Sequence, residues 1–517
     1  MKQPSFMVGP PGTGKTSKFI TQKYTELLLR FSHEKIVVLS HTKVAAEEIR
    51  DEILKLPEVK EKGLTKKSLK YKICTIHAYC QSKGLKRDLF SYQDHINLCR
   101  MESRFKLQRI SASDFEGDKH RFYKYLKDAF GKNKTLKEHW KKCDKLSYKP
   151  YSLNIIEELQ EIYEKYKKDN HVCDYDDMIR DFIEKANEPD IDALIVDEAQ
   201  DSNVPQTKAL DKMATNTKEY WFVGDPDQTI FEFAGANAKK FYELSKGAKE
   251  LEEGYRCSQT INSLCKEIIK PIWDHYGTHR IWKPTDVIGK HYHLPSLRHR
   301  CTSMDILLDK INNSEETFLF TYRGNPSDGW VKTFFKQHGI EYAHIGNTAH
   351  VPKKEIRCHK LWPEFASGKP MPLKQIKDFW TYIGSKVIVH GKGEETFEEW
   401  VNKDYTIDYL IHHKYLKENS TYQKDFSLIR TKTDPDRILY IQKILQKGFN
   451  LEGDVKVRYG NIHTVKGLTF DNVIVDLTAT RIEDYFTQLR LKYVAYSRGK
   501  FDCWTISSQR AYTLGVR

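Results

Sequence analysis

Nowhere in the 517 residues do apolar side chains run unbroken for the roughly 18 positions that a membrane span needs. No charged-then-apolar leader opens the chain, because Lys2 is followed almost at once by a strand-like run, so no signal peptide is expected. Internal repeats and low-complexity segments are also missing. The 10 cysteines include no C-x-x-C pair, which argues against a zinc-ribbon framework and fits a reducing compartment. The nearest approach to a metal pattern is "CTIHAYC", with Cys74, His77 and Cys80, and it lacks a second ligand pair. These absences lead to the expectation of a cytoplasmic protein with no membrane partner.

Charge of one sign, by contrast, is in excess. The formal net charge is +14, with 30% charged residues and 39% hydrophobic ones. Such a balance suits a polyanionic partner, nucleic acid before acidic membrane. Lysine is spread along the chain rather than blocked, so a lysine-rich composition alone gives the same sum. The length allows about three to four domains with real cores.

The first informative stretch is "SFMVGPPGTGKTSKF", residues 5–19. A short apolar strand enters a glycine-rich turn, and apolar residues at helical spacing (Phe19, Ile20, Tyr24, Leu27, Leu28) follow. Gly9, Gly14, Lys15 and Thr16 satisfy G-x-x-x-x-G-K-[ST], the phosphate-binding loop. Backbone N–H groups of the loop and the helix start favour an anion, so Gly9, Pro10, Pro11, Gly12, Thr13, Gly14 and Ser17 are expected to bind the nucleotide beside Lys15 and Thr16. Lys15 neutralises β/γ-phosphate charge and Thr16 ligates Mg²⁺.

"KIVVLS" (35–40) reads as a second buried strand and "TKVAAEEIRDEILKL" as a helix, so the opening is α/β with a parallel sheet. Residues 81–190 read as a helical insertion, exemplified by "LNIIEELQEIYEKYKK". Strands resume at "DALIVDEAQ" and "EYWFVGDPDQ", and again at "TFLFTYR" and "NVIVDLTA". The run Leu194-Ile195-Val196 ends in Asp197-Glu198. A carboxylate at the C-terminal end of a buried strand faces the phosphate loop, which suits Asp197 to Mg²⁺ and Glu198 to the attacking water. The long interval between Lys15 and Asp197 argues against small P-loop kinases and GTPases.

Motif by motif, the chain resembles superfamily 1 DNA helicases of the UvrD/Rep (PcrA-like) type. "VGDPDQTIFEFAGA" (223–236) resembles their V-G-D-x-x-Q-S-I-Y-x-[FW]-R-G-A, and "LEEGYRCSQTI" (251–261) their L-x-x-N-Y-R-S. "NIHTVKGLTFDNVIV" (461–475) is similar to T-x-H-x-x-K-G-L-E-F-x-x-V, and "LKYVAYSRGK" (491–500) to L-x-Y-V-x-x-T-R-A. "VVLSHTKVAAEEIRDEI" (37–53), "CTIHAYC", "VCDYDDMI" (172–179) and "YRGNPSDGWVKTFFKQHGIEYAHIG" (322–346) resemble further elements of that family, in its order.

The resemblance implies two RecA-like P-loop NTPase cores with parallel sheets, each carrying a mainly helical insertion, and ATP in the cleft between them. The expected division is 1–80 with 190–260 as the first core and 81–189 as its insertion. Residues 261–345 with 446–517 form the second core, and 346–445 its insertion. The cofactors implied are ATP and Mg²⁺. Gln228 is expected to sense the γ-phosphate, Tyr255 to stack on adenine, and Arg256 and Arg498 to act as arginine fingers from the second core. Gly467 is expected at the nucleotide. For DNA, the resemblance assigns His41, Thr42, Thr75, His77, Phe231, Phe233, His463 and Thr464, because stacking and phosphate contacts let a motor walk on any sequence.

The implied activity is ATP-dependent 3′→5′ translocation on single-stranded DNA with helicase action, for replication, recombination or repair. Implied partners are single-stranded DNA and single/double-strand junctions, with replication or recombination proteins beside them, and the protein is expected as a monomer. A translocase that displaces proteins with little unwinding, or an ATP-gated DNA-binding protein, are the alternatives. The compact length and Lys/Tyr-rich composition suit a bacteriophage or viral member. An AAA+ ATPase shares "GPPGTGKT" but leaves the downstream motifs unexplained.

Departures from the family pattern cluster around base and sugar. The glutamine motif ahead of the phosphate loop is not seen, Ser17 stands where an arginine is usual, and Thr469 replaces the glutamate of Gly-Leu-Glu-Phe. Ala234 replaces the arginine before Gly-Ala, and His41 the usual phenylalanine. Nucleotide selectivity is therefore expected to be relaxed. Steady-state hydrolysis of the four ribonucleoside triphosphates should show GTP or CTP partly replacing ATP, and a strong preference for ATP alone contradicts the expectation.

Overall fold

The computed structural model describes residues 3–507 except 85, 102–106, 108, 113–114, 116–119, 149–150, 299, 324, 348, 385–386, 390–399, 402, 423, 430–433, 449–453 and 479–483. The chain divides into two compact units, Met1–Ile288 with Glu483–Ser497, and Gly289–Ile482 with Arg498–Arg517.

The first unit is built on a six-stranded sheet in the order Ile73–Thr75, Ile36–Ser40, Ala193–Val196, Glu219–Gly224, Ser5–Val8, Lys249–Glu250. Every pairing is parallel. The central strands are apolar along their whole length, Ile36–Ser40 and Ala193–Val196 being buried at every position. That is the composition expected of a parallel sheet covered on both faces. One apolar layer gathers Val37, Leu39, Leu194, Val196 and Phe222, and the opposite layer Val38, Ile36, Ile195, Tyr24 and Leu27. Because all the strands run the same way, all their C-terminal ends open on one edge.

Between the third and fourth strands of the chain's path, helices Tyr92–Met101, Arg121–Gly131, Leu136–Lys142 and Leu153–Asp169 surround an aromatic-rich core of Phe90, Phe122, Tyr125, Tyr163 and Tyr166. A short parallel pair, Asp88–Leu89 with Val172–Cys173, closes the neck of this excursion. Helix Arg121–Gly131 ends against the loop before residue 236. Added Cβ atoms would lie 2.3 Å from the Ala234 carbonyl at Gly131 and 2.1 Å from the Gly131 carbonyl at Gly235. Only glycine permits that approach.

The second unit carries another six-stranded sheet, ordered Tyr342–His344, Val457–Asn461, Phe318–Tyr322, Asn472–Asp476, Cys503–Ile506, His291–Leu294. It too is wholly parallel. Helices Lys353–Ala366, Leu373–Trp380, Ile407–His412 and Phe426–Ile429 pack a separate apolar core around Trp362, Phe365, Phe379 and Phe426. Two parallel sheets wrapped by helices, the first carrying a phosphate loop, are the α/β architecture of two RecA-like cores. No helix among the described residues is long and apolar enough to cross a membrane.

A buried polar cluster ties the first unit together at the strand-end edge. Asp227, fully buried, accepts from Trp273 Nε1 at 2.8 Å, from Arg280 Nη1 at 2.8 Å and from the Tyr242 hydroxyl. Asp225 accepts from Gln228 Nε2 at 2.8 Å and from the Tyr493 hydroxyl at 3.3 Å, and lies 3.6 Å from Arg280. Arg490 meets Glu232 at 2.9 Å. Helices Gln259–Tyr276 and Tyr485–Tyr496 are thus held to the strand that ends at Gly224. Removing one partner of a buried ion pair leaves the other charge uncompensated, at a cost of about 3–5 kcal/mol. Asp227→Ala should lower unfolding stability by about that amount in urea denaturation, and a loss below about 1 kcal/mol, the scale of an exposed ion pair, contradicts the network's role.

Candidate nucleotide and nucleic-acid site

The phosphate loop sits between strand Ser5–Val8 and the helical segment Lys15–Arg30. Gly12 and Gly14 have φ of 72° and 81°, a left-handed backbone that glycine enters without a Cβ penalty. Gly9 N–H donates to Gly224 O at 3.1 Å and so stitches the loop to the neighbouring strand end. The helix begins with a wide turn in which the Lys18 and Phe19 amides share the Gly14 carbonyl at 2.9 and 3.0 Å. Widened turns of this kind are frequent at functional sites. Thr13 Oγ1 donates to Pro10 O at 2.8 Å, and the Lys15 ammonium donates to Gly9 O and Pro10 O at 2.7 and 3.2 Å.

Lys15 is a buried cation facing several carboxyl groups. Burial lowers its pKa, and the charges of Glu198, Asp225 and Asp197, in that order, work against the lowering. Asp197 and Glu198 end strand Ala193–Val196, and Asp197 N–H bonds Leu39 O at 2.8 Å. Thr16 Oγ1 donates to Asp197 Oδ2 at 3.3 Å. Asp197 Oδ1 is buried with no hydrogen-bond partner among the described residues. Burial, then the charge of Glu198, pushes the Asp197 carboxyl up to about 7. A hydroxyl beside a carboxylate with an unused oxygen is a donor set suited to a hard cation such as Mg²⁺.

Glu198 has φ 52° and ψ 36°. Left-handed backbone at a side chain with a Cβ costs of order 1–2 kcal/mol and persists only where surroundings enforce it. Gln200 is part of that enforcement. Its amide donates to the Glu198 carboxylate while its Oε1 accepts from Asp225 N–H at 3.2 Å. Gly224 must lack a side chain, because a Cβ there would lie 2.1 Å from Gln200 Oε1. Burial, then Asp227, pushes the Asp225 carboxyl up to about 6.

Tyr255 and Arg256 lie against the same loop within the first unit, so Arg256 does not come from the second core as the resemblance implied. Tyr255 N–H donates to Gly12 O at 2.8 Å, and its ring, 55% exposed, has the Lys18 ammonium 3.4 Å from the centroid. A Cβ on Gly12 would lie 2.4 Å from Arg256 Cβ. Arg256 Nη1 donates to Ser497 O at 3.4 Å, and burial works against its charge. Pro11 and Ser17 complete the loop and its first turn.

Residues expected at DNA leave other strand ends of the same sheet. His41 and Thr42 follow Ile36–Ser40; His41 Nε2 is 3.1 Å from Ser202 Oγ, and Thr42 caps helix Lys43–Lys55 by accepting from Ala45 N–H at 3.1 Å. Thr75 likewise caps helix Ile76–Lys83, accepting from Ala78 N–H at 3.2 Å. The His77 ring meets Tyr175 edge-on at 5.4 Å, and burial, then Lys127, pushes it down to about 4, so it is uncharged at neutral pH. Cys74 and Cys80 are buried in the core, their thiols pushed up by burial. Phe231 and Phe233 lie 6.0 Å apart, with Phe233 51% exposed.

Gly467, Arg498, His463 and Thr464 are in the second unit. Arg498 is buried, donates through Nη1 to Leu468 O at 3.4 Å, and accepts at its carbonyl from Phe470 N–H at 2.9 Å. Arg498 and Gly467-Leu468 are thereby neighbours, and Gly467 has φ 87° with open space where a Cβ would stand. Thr464 Oγ1 is engaged by Asn461 O at 2.9 Å, and His463 precedes it on helix Ile462–Val465.

Sequence reasoning passed over Gln200, Asp225, Asp227 and Arg280. The first three lie inside the quoted motifs and carried a signal in their carboxyl and amide groups after apolar strands. Arg280 lies in "THRIWKP", outside every motif, and nothing local marked it.

Residues 1–249 match the UvrD/REP helicase N-terminal domain. The chain is 24% identical over 390 residues to the ATP-dependent DNA helicase Rep of Buchnera aphidicola subsp. Baizongia pistaciae, covering 68% of this chain and 54% of the relative. It is 24% identical over 296 residues to a probable DNA helicase II homologue of Mycoplasma pneumoniae, covering 51% and 39%. With the ATP-dependent DNA helicase PcrA of Staphylococcus aureus it shares 22% over 226 residues, 40% of this chain and 31% of that one. The chain thus spans between about a third and about half of these relatives' length. Residues 1–249 are thus similar to the UvrD/REP helicase N-terminal domain, and the chain as a whole is similar to Rep and PcrA helicases.

Proposed function

We propose that the protein is an ATP-dependent DNA helicase that translocates 3′→5′ along single-stranded DNA. The observation that carries the reading is positional. Lys15, Asp197, Glu198 and Gln228, and the strand-contact candidates His41, Thr75 and His77, all leave C-terminal strand ends of one parallel sheet. In open α/β sheets that edge is where ligands bind. The polarity rests on the resemblance of "QTIFEFAGA" to the 3′→5′ branch, which is analogy.

In this reading Lys15 neutralises charge on the β- and γ-phosphates, and Thr16 and Asp197 would hold Mg²⁺, which supplies charge neutralisation and orientation of the phosphates. Glu198, fixed in its left-handed conformation and braced by Gln200, orients the attacking water and takes its proton. Water oxygen bonds to the γ-phosphorus, the bond to the bridging oxygen breaks, and ADP and phosphate leave. Arg256 stabilises charge on the phosphoryl group in flight, and the exposed Tyr255 ring takes the base. Gln228 is bonded to Asp225, whose neighbours reach helix Tyr485–Tyr496, so a change at the γ-phosphate has a built route into that helix.

Steady-state ATP hydrolysis with and without oligo(dT) tests this most simply. The expected result is a rate stimulated at least tenfold by DNA and abolished in both conditions by Lys15→Ala. Equal rates with and without DNA contradict the proposal.

A further inference from the structure

The helical excursion of the first unit contains a cavity that the proposed nucleotide chemistry does not use. Its volume is about 520 Å³, and its lining includes Phe90, Tyr92, Tyr123, Tyr163, Lys127 and Asp176. Phe90 meets Tyr163 edge-on at 5.0 Å and Tyr123 at 5.7 Å, and Tyr123 lies 5.3 Å from Tyr163. These rings form a fixed aromatic wall. Asp174 anchors it by accepting from the Tyr163 hydroxyl at 3.1 Å and from Lys167 at 2.8 Å.

One polar group in the lining is left over. The Asp176 carboxyl makes no hydrogen bond among the described residues, while Asp174 and Asp177 beside it are fully engaged with Lys167, Arg180 and backbone amides. Burial, then the charge of Asp174, pushes Asp176 up to about 8. That direction favours the protonated carboxyl, which both donates and accepts. An aromatic wall with one donor–acceptor pair is complementary to a flat heterocycle with polar edges.

The rim connects this cavity to the sheet's strand-end edge. Tyr175 and Lys127 both belong to the lining. The Tyr175 ring touches His77 at 5.4 Å, and Lys127 is the cation that His77 feels. A strand passing His77 would thus run beside two residues of the cavity lining. Lys127 on the wall disfavours a cationic occupant and suits a phosphate at the entrance. The volume lies within the roughly 300–1,000 Å³ of small-ligand pockets and admits a nucleobase with its sugar at the rim.

We propose that this cavity receives a single unstacked base of the DNA strand, held between the tyrosine and phenylalanine rings and Asp176. The inference rests on the DNA-binding reading and adds to it a fixed holding point away from the nucleotide. Extruding a base from a single strand costs little, and stacking on an aromatic ring returns about 1–3 kcal/mol.

The test is photo-crosslinking of the full chain to oligo(dT) in which scattered thymines are replaced by 5-iodouracil, a base that couples to aromatic rings stacked on it. Peptide mapping should find adducts on Phe90, Tyr92 or Tyr123. Leu126→Trp, which fills the cavity from its wall, and Tyr92→Ala, which removes one ring, should each abolish or sharply reduce those adducts. Adducts elsewhere should persist, and oligo(dT) affinity should fall about tenfold while DNA-independent ATP hydrolysis stays unchanged. The second variant keeps the result interpretable if tryptophan is not accommodated. Oligo(dT) that binds and crosslinks elsewhere but never in the cavity overturns the inference and leaves the DNA-binding reading standing. A wild-type chain that binds no oligo(dT) overturns both.

Discussion

The structure of the first unit depends on one electrostatic constraint, the burial of the Lys15 ammonium among Asp197, Glu198 and Asp225. Charges withdrawn from water are tolerated only when paired. Here the opposing carboxyls stand at two strand ends and the Lys15 loop follows a third, so the arrangement needs these strands of the sheet in place. Burial first, and then a neighbouring carboxylate (Glu198 for Asp197, Asp227 for Asp225), pushes both carboxyls up, to about 7 and about 6. A site in this condition gains from any further positive charge, and a hard cation beside Thr16 and Asp197 is the natural addition.

From that centre the polar contacts run outward in a connected path. Gln200 links Glu198 to Asp225, Asp225 holds Gln228 and Tyr493, and Arg280 joins Asp225 to the fully buried Asp227. Each step joins a different segment of the first unit. Glu198 and the helix Tyr485–Tyr496 therefore share one buried network rather than two independent surfaces. Glycines make its close approaches possible, above all Gly224 under Gln200 and Gly12 under Arg256.

Much of this was legible from residues alone, and the rest was not for physical reasons. The strands at Ser5–Val8, Ile36–Ser40, Ala193–Val196, Phe318–Tyr322 and Asn472–Asp476 are continuous apolar runs, the signature of parallel strands covered on both faces. Edge strands such as Lys249–Glu250, Tyr342–His344 and His291–Leu294 are short or polar, and local pattern does not mark them. Glu198 was readable as an acid after a strand, but its left-handed backbone was not. Phe231 and Phe233 were readable as aromatic, but that Phe233 is the exposed one is a tertiary fact. Arg280 illustrates the limit: its partners Asp225 and Asp227 are more than fifty positions away, and no local spacing announces such a pair.

We propose that Glu198, held in a left-handed conformation beside a buried Lys15, performs the proton-transfer step of triphosphate hydrolysis. Glu198→Gln removes the base while keeping the shape, so single-turnover ATP hydrolysis measured beside equilibrium ATP binding addresses the claim directly. Hydrolysis is predicted to fall by about 10²–10⁴ with ATP binding retained. Hydrolysis at the wild-type rate would contradict it.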